Sequence, residues 1–307
     1  MNQEVLGIIF AILSPLFSSI STIFKTGAAK SLGPLVVVGI GGILGSLILF
    51  ALAGIRREKI SAKKIKANLR GIASIVCFRF LLGELLFTYG LSQTTAIKAI
   101  FFTKIEPYFV LLFAWLFLKE KIKGRYLILL TIHLIGAVLL STGGNFNIVG
   151  QGQIGDLSVI LAMALFALTY KEGKYLAEKI GPVLSSAISL LIASIIVLPF
   201  ALLLTPLTSF TSSITGWAYL ILYVVLFNVI ALTLWFASLK SVKGWIVSTL
   251  RYVGPVLGAP FAYLLFGTSL NLIQVLGAFV ILATSFVIAR EHFKSYKREP
   301  VVDEIET

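Results

Sequence analysis

Apolar stretches of about 20 residues recur along the whole chain, and a helix of that length crosses a hydrocarbon core of about 30 Å. Hydrophobic residues make up 58% of the 307 positions and charged residues only 13%, about half the charge of a soluble domain. The predicted fold class is therefore all-α, a polytopic membrane protein with ten transmembrane helices. The predicted spans are 5–25, 34–55, 71–92, 95–118, 125–142, 155–174, 182–204, 216–239, 244–266 and 271–289.

Basic residues are distributed unevenly between the two sides that these ten spans define. Twenty of the 26 Lys and Arg residues fall on one side, while the other side receives only Lys25 and Lys30. Because cytoplasmic loops are rich in Lys and Arg, we expect a multi-pass protein of the cell membrane with both termini in the cytoplasm. The net charge of +13 then reflects orientation and contact with anionic lipid, so nucleic acid is not an expected partner.

The two halves of the chain superimpose at a single offset of 148 residues. Matching landmarks are Gly7 with Gly155, Gly33-Pro34 with Gly181-Pro182, Leu91 with Leu239, and Pro107 with Pro255. Each copy holds five predicted spans, and an odd number forces the copies to enter the membrane in opposite orientations. We therefore predict two inverted five-helix repeats, 1–147 and 148–293, followed by a charged cytoplasmic tail, 294–307.

Several short segments, in this order and spacing, resemble one transporter family. They are Tyr89 to Ala96, Glu106-Pro107 with Leu118 to Lys121, Trp235 to Leu239, Gly254-Pro255 and Gln274 to Ala278. Over almost its whole length the chain is similar to the ten-span EamA-type family of the drug/metabolite transporter superfamily. Gly254 and Thr268 depart from the acids of the family pattern, which leaves Glu106 and Glu120 without counterparts in the second half.

The resemblance implies a substrate cavity lined mainly by helices one, three, four, six, eight and nine, which opens alternately to the two sides. It also implies export of amino acids or other small metabolites, or efflux of drugs. A secondary active transporter of an amino acid-like or anionic metabolite is the function we predict. Proton-coupled efflux of cationic drugs is the alternative, and a channel is a further one.

Ionisable side chains inside the predicted spans cost a few kcal/mol each and therefore mark functional sites or ion pairs. Six such residues remain after the charges at the span ends are assigned to the loops: Arg79, Glu84, Lys98, Lys104, Glu106 and Arg251. Lys98 lies near a helix end, where its long side chain reaches the interface. Structural ion pairs between helices explain some of the others equally well, and matched depth predicts a pair between Glu84 and Lys104.

The five deeper residues comprise three cations and two acids, so one positive charge stays uncompensated after internal pairing. We predict that Lys104 and Arg251, together with Arg79, bind a carboxylate or phosphate group of the substrate. Glu106 or Glu84 would titrate or contact an amine, and Glu106 is a candidate proton carrier. Secondary candidates at similar depth are Tyr89, Asn228, Trp235 and Tyr252.

An intramembrane enzyme would need a nucleophile with a base, or a cluster of metal ligands. His133 stands alone in the fifth span and is expected to be a packing residue, and the single cysteine, Cys77, is expected to be a buried apolar one. We therefore predict no catalytic residue, metal or cofactor. Four glycines predict close helix packing: Gly39, Gly41, Gly42 and Gly45. The protein is expected to be a monomer or a homodimer, and in a homodimer these glycines would lie at the dimer face.

Overall fold

The computed structural model is helical throughout its regular secondary structure in the part of the chain it describes. It describes residues 3–55, 61–94, 102–119, 124–145, 153–206, 208, 210, 213–254, 256–257 and 271–298. Several predictions concern positions outside the described residues, namely those on Lys98, Glu120, Pro255, Thr268, residues 258–266 of the ninth predicted span, and the tail beyond 298.

Ten helices lie at the positions of the ten predicted spans, and a short helix, Ala62–Ala67, lies between the second and third. The ten helices are α1 (Gln3–Leu32), α2 (Pro34–Ile55), α3 (Leu69–Gln93), α4 (Glu106–Leu118), α5 (Gly124–Thr142), α6 (Gln153–Leu168 with Tyr170–Lys179), α7 (Pro182–Leu204), α8 (Ile214–Leu239), α9 (Gly244–Leu250) and α10 (Leu272–Arg298).

Within the described residues, five helices are long and apolar enough to cross a membrane by themselves: α1, α2, α3, α7 and α8. The two parts of α6 meet at an angle of 43° and make a sixth if they form one broken span. The apolar parts of α4, α5 and α10 are shorter. The all-helical, multi-pass fold is confirmed, while the number of ten spans and their inverted arrangement stay predictions.

The turn between the first two helices of each half is built in the same way. Gly33 and Gly181 have φ angles of 89° and 106°, a region in which only glycine is relaxed, and each ends the preceding helix. Pro34 and Pro182 follow at the first helical position, where a missing N–H costs nothing. The repeated Gly-Pro pair is thus a repeated helix–turn–helix junction.

Contacts between helices follow the repeat. Helix α1 packs on α8 and, in the equivalent pairing, α6 packs on α3. The pairs α2 with α7, α4 with α9, and α5 with α10 each join a helix to its own counterpart. Exchanging the two halves reproduces this set of pairings, so the halves interleave and share one core.

Helices α3 and α8 each contain a π-helical segment at equivalent positions, Ile75–Gly83 and Val224–Ala231. In both, a backbone N–H donates to the carbonyl five residues earlier. In α3 the bond runs from Glu84 to Arg79, and at the equivalent positions of α8 it runs from Leu232 to Phe227. Residues five apart on an α-helix point about 140° away from each other. The π turn instead brings them towards one face, and such turns occur frequently at functional sites.

The glycines of α2 allow close packing, as predicted, but their neighbours are helices of the same chain. A Cβ on Gly42 would lie 1.9 Å from Oγ of Ser194 on α7, and one on Gly45 would lie 2.7 Å from Cβ of Asn228 on α8. The predicted dimer face of Gly39, Gly41, Gly42 and Gly45 is therefore wrong, because intramolecular contacts occupy it.

Two further predictions about burial are wrong. Cys77 is exposed on the surface of α3 and is not a core residue. Lys25 does not lie at the outer end of the first span, because α1 continues to Leu32 and the Lys25 side chain is only 3% exposed. A hydropathy reading ends a span at its first charge, whereas here the charge has a buried partner and the helix continues past it.

Candidate functional site

A buried ion pair joins α4 to the end of α9. Glu106 is the first residue of α4, and Nη1 of Arg251 lies 2.8 and 2.6 Å from its two carboxylate oxygens. The hydroxyl of Tyr170, at the break in α6, donates to Oε1 of Glu106 at 2.9 Å. The Glu106 side chain is enclosed, but that of Arg251 keeps 24% of its surface accessible. The acid is thus fully satisfied, while part of the Arg251 side chain stays accessible.

A second buried ion pair joins α1 to α3. The ammonium group of Lys25 donates to Oε2 of Glu84. Three aromatic rings surround the same ammonium, with centroids at 4.7 Å for Phe87, 5.1 Å for Tyr223 and 5.7 Å for Phe227. The predicted pair between Glu84 and Lys104 is therefore wrong, because Lys25 was assigned to a loop and its position in the span was missed.

Arg79 lies on α3, within the π segment, and is only 3% exposed. The carbon of its guanidinium lies 3.9 Å from the ring centroid of Trp235 and 5.1 Å from that of Phe166. Its Nε and Nη1 atoms have no hydrogen-bond partner among the described residues. The guanidinium therefore packs against aromatic rings, and two of its nitrogen atoms have unused hydrogen-bond donors.

Lys104 is also buried, two residues before Glu106. Its ammonium lies 5.5 Å from the ring centroid of Tyr252, and the Tyr252 hydroxyl donates to the Lys104 carbonyl. In the described part of the chain, no carboxylate lies within ion-pair distance of this ammonium. Lys104 and Tyr252 are 148 residues apart, so equivalent positions of the two repeats meet here.

Apart from Glu4, a buried acid in the first turn of α1, the buried charges of the described spans are four cations and two acids. Lys25 and Arg251 have carboxylate partners, whereas Arg79 and Lys104 have aromatic neighbours and no acid. Counting Lys25, which the sequence reading placed outside, raises the predicted excess of one positive charge to two. At the depth of the candidate site, the interior between the repeats therefore carries an excess of positive charge among the described residues.

Comparison with known proteins identifies the family. The model of the EamA-like transporter family matches residues 5–142 and again residues 153–290, which together make up most of the chain. The chain belongs to the EamA-like transporter family. An uncharacterized transporter of Methanothermobacter thermautotrophicus is 23% identical over 301 residues, covering 92% of this chain and 85% of that protein.

Two further relatives carry the same description. The uncharacterized transporter of Clostridium kluyveri is 24% identical over 295 residues, and the match covers 92% of both chains. The uncharacterized transporter of Haemophilus influenzae is 30% identical over 139 residues, and the match covers 45% of this chain and 82% of that protein. A protein of known crystal structure shares the fold, with a TM-score of 0.74 and 15% identity over 96% of this chain and 99% of that one. This EamA-like protein is a multi-pass membrane transporter and not an enzyme.

The remaining predicted site residues of this EamA-like protein occupy different surroundings. Trp235 and Tyr252 lie within the cationic region described above, while Nδ2 of Asn228 donates to the Gly41 carbonyl at 3.1 Å. Asn228, Tyr223 and Glu84 also border a small cavity between α2, α3, α7 and α8. Tyr89 is 40% exposed, so the structure does not bring it together with the others.

His133 is a packing residue, as predicted. Its ring lies 4.6 Å from that of Tyr252, and its Nδ1 lies 2.6 Å from the Thr284 hydroxyl on α10. No group of three or more His, Cys, Asp or Glu side chains arranged for a metal ion occurs within the described ranges.

Sequence reasoning missed two polar residues of the site, Lys25 and Tyr170. Lys25 could have been found, because the apolar pattern resumes after it and continues to Leu32 before Gly33 ends the helix. Tyr170 carries no comparable signal, since its role depends on the bend that turns α6 towards Glu106.

Proposed function

We propose that this EamA-like transporter is a secondary active carrier of a small metabolite with a carboxylate or phosphate group. The substrate crosses by alternating access through a cavity between the two repeats, and export from the cytoplasm across the cell membrane is the proposed direction. The observation that carries the proposal is the pair of buried cations, Arg79 and Lys104, that have no acid partner among the described residues.

An uncompensated cation in a low-dielectric interior costs several kcal/mol even after the surroundings relax. An anionic ligand that enters the site offsets that cost, since it supplies the missing countercharge. Arg79 has unused donors for an anion, and Arg251 adds the accessible part of its side chain. Arginine suits two-point contact with carboxylate or phosphate, and Lys104 adds a point charge.

Glu106 supplies the coupling step under this proposal. Arg251 is bound to both oxygens of Glu106, so it can turn towards a substrate anion only if another cation replaces it. A proton on Glu106 serves that purpose, and the proton and the substrate anion together leave the local charge unchanged. Proton binding at Glu106 and anion binding at Arg251 would then be linked, so the carrier would export the two together when the substrate is more concentrated in the cytoplasm.

Efflux of cationic drugs is a second candidate, and one observation favours it. Glu84 lies beside a cluster of aromatic rings, the combination that recognises organic cations. Lys25 already neutralises this acid, however, and the interior as a whole carries excess positive charge. A cationic drug would add to that excess, so the anionic substrate remains our proposal.

The first test is a thermal-shift screen of purified protein against amino acids, mono- and dicarboxylates, phosphorylated metabolites and cationic drugs. We expect anionic or zwitterionic compounds to raise the melting temperature and purely cationic ones to have little effect, since a ligand stabilises the state that binds it. The active compound is then tested for saturable accumulation in proteoliposomes under a pH gradient.

Lys104→Ala and Arg251→Ala should each weaken binding of that compound by at least tenfold, because each removes one positive contact. Lys30→Ala is the matched control, since Lys30 is exposed near the end of α1. Unchanged binding in both site variants would refute the anion site. Tighter binding of cations than of anions by the unmodified protein would favour the drug-efflux alternative.

A further inference from the structure

We propose that Glu84 and the rings of Phe87, Tyr223 and Phe227 form a binding subsite for a primary ammonium group, which Lys25 occupies as a tethered ligand. A substrate ammonium displaces Lys25 from it. The proposal rests on the proposed carrier function and deepens it, because it assigns a second chemical group to the substrate.

The four receptor residues and their occupant come from different helices. Glu84 and Phe87 are on α3, Tyr223 and Phe227 are on α8, and Lys25 reaches in from α1. A carboxylate with three ring faces within 6 Å of one nitrogen meets the charge and the hydration needs of an ammonium ion. The receptor is therefore complete without any contribution from α1.

The subsite borders a small cavity. Glu84 and Tyr223, which both contact the Lys25 ammonium, also line the small cavity together with Phe80, Ser194 and Asn228. Glu84 is thus enclosed on one side by Lys25 and faces a cavity on another. The cavity itself has room for about one water molecule, so an ammonium compound fits beside the carboxylate only where the Lys25 ammonium has left.

The π turn of α3 relates this subsite to the proposed anion contact. The N–H of Glu84 donates to the Arg79 carbonyl, so the acid and the guanidinium are brought towards one face of the helix. A substrate with an ammonium group and an anionic group can therefore approach both residues together. The exchange conserves charge, because one ammonium replaces another at Glu84, and the released Lys25 is free to pair with the substrate anion.

The second repeat shows that the subsite is not a by-product of the fold. At the equivalent positions, Lys25 is replaced by Gly173 and Glu84 by Leu232. Trp235 is the counterpart of Phe87, and a Cβ on Gly173 would lie 2.8 Å from its ring. A side chain larger than that of glycine therefore does not fit at this position. The same backbone carries an occupied ammonium subsite in one half and a tightly packed glycine in the other.

Lys25→Met provides the test, since it removes the tethered ammonium and retains a side chain of similar length. The probe is methylammonium chloride added to purified full-length protein, with sodium chloride at equal ionic strength as the reference. We expect methylammonium to raise the melting temperature of Lys25→Met saturably, with an apparent affinity at least tenfold higher than for the unmodified protein. Lys30→Met should respond like the unmodified protein.

Lys25→Met/Glu84→Gln should lose the methylammonium effect, because it lacks the carboxylate. The proposal is overturned if Lys25→Met responds equally to methylammonium and sodium, or if the double variant responds as the single one does. If Lys25→Met aggregates in sodium chloride, extraction in methylammonium chloride must recover it, and aggregation in both salts also overturns the proposal. No transported anion enters this assay, so it can fail while the anion site stands, or succeed while that site fails.

Discussion

Helices α3 and α8 have the same backbone and different chemistry. Both contain a π turn, in which the N–H of Glu84 or of Leu232 reaches the carbonyl of Arg79 or of Phe227. At this turn α3 carries two charges and α8 carries two apolar side chains. The repeat therefore supplies the geometry twice, whereas the charge was placed in only one copy, and the candidate site is asymmetric for that reason.

The fourth and ninth helices show a similar asymmetry and give its physical cause. Glu106 is equivalent to Gly254, where a Cβ would lie 2.5 Å from the Pro15 carbonyl oxygen of α1. The close approach of α1 leaves no room for any side chain at this position. The departure from the family pattern at Gly254 is thus a packing requirement, and the acid that remains in α4 is held by Arg251.

Substitution at the equivalent positions of α3 and α8 should break this comparison most strongly. Glu84→Gln leaves Lys25 buried without its countercharge, and we expect a loss of about 3–5 kcal/mol in the free energy of unfolding. Leu232→Met is the matched change in α8 and should cost less than about 1.5 kcal/mol. Unfolding in mixed micelles, followed by circular dichroism, measures both.

The double variant Lys25→Met/Glu84→Met distinguishes the loss of the ion pair from the effect of any substitution at position 84. Replacing both partners by apolar groups removes the uncompensated charge, so the double variant should be more stable than Glu84→Gln. Equal losses for Glu84→Gln and Leu232→Met would show that the pair contributes no more than ordinary packing. The asymmetry between α3 and α8 would then have no energetic meaning.

A smaller effect is expected at the close contact between α1 and the ninth helix. Gly254→Ala pushes a methyl group against the Pro15 carbonyl and should destabilise the protein by about 1–3 kcal/mol. Gly54→Ala is the control, because nothing lies within 4 Å of the added Cβ on α2, and a helical alanine should raise stability by up to about 1 kcal/mol. If both changes stabilise, the contact that excludes an acid from position 254 is not tight.

The sequence predicts much of the fold because the relevant signals are local or periodic. Apolar length locates the helices, and the repeated Gly-Pro pair locates two equivalent turns. The partners of the buried charges were not predictable in the same way. Lys25 meets Glu84 across 59 residues, and Arg251 meets Glu106 across 145, so each pairing depends on how helices rotate against one another.

The π turns are a second feature beyond the reach of periodicity. Matched depth favours Lys104 as the partner of Glu84, but depth carries no information on which way a side chain points, and the π segment rotates Glu84 relative to Arg79. Aromatic contacts were hidden as well, since the rings near Lys25 come from two helices, with Phe87 on α3 and Tyr223 on α8. Depth in the membrane thus identifies buried charged residues such as Glu84 and Arg79, but it does not identify the side chains that they contact.

Arg79→Met should produce the smallest change in the free energy of unfolding, and the change should be a gain, whereas Glu84→Gln should produce a loss. The variant therefore tests the difference between paired and unpaired cations most directly. The substitution removes a buried charge without an acid partner, which favours the folded state by several kcal/mol, and it forfeits a contact with Trp235 of about 2 kcal/mol. We expect a net gain of about 1–2 kcal/mol in the free energy of unfolding, together with loss of binding of the anionic substrate.

Such a gain in stability at the expense of function is typical of a residue retained for its ligand. Mixed-micelle unfolding measures the first quantity, and the thermal-shift response to the substrate measures the second. A variant that is less stable and still binds the substrate would show that Arg79 is a structural residue whose charge is satisfied by its aromatic neighbours. The uncompensated positive charge of the first repeat would then reduce to Lys104, and α3 and α8 would differ only in the ion pair at Glu84.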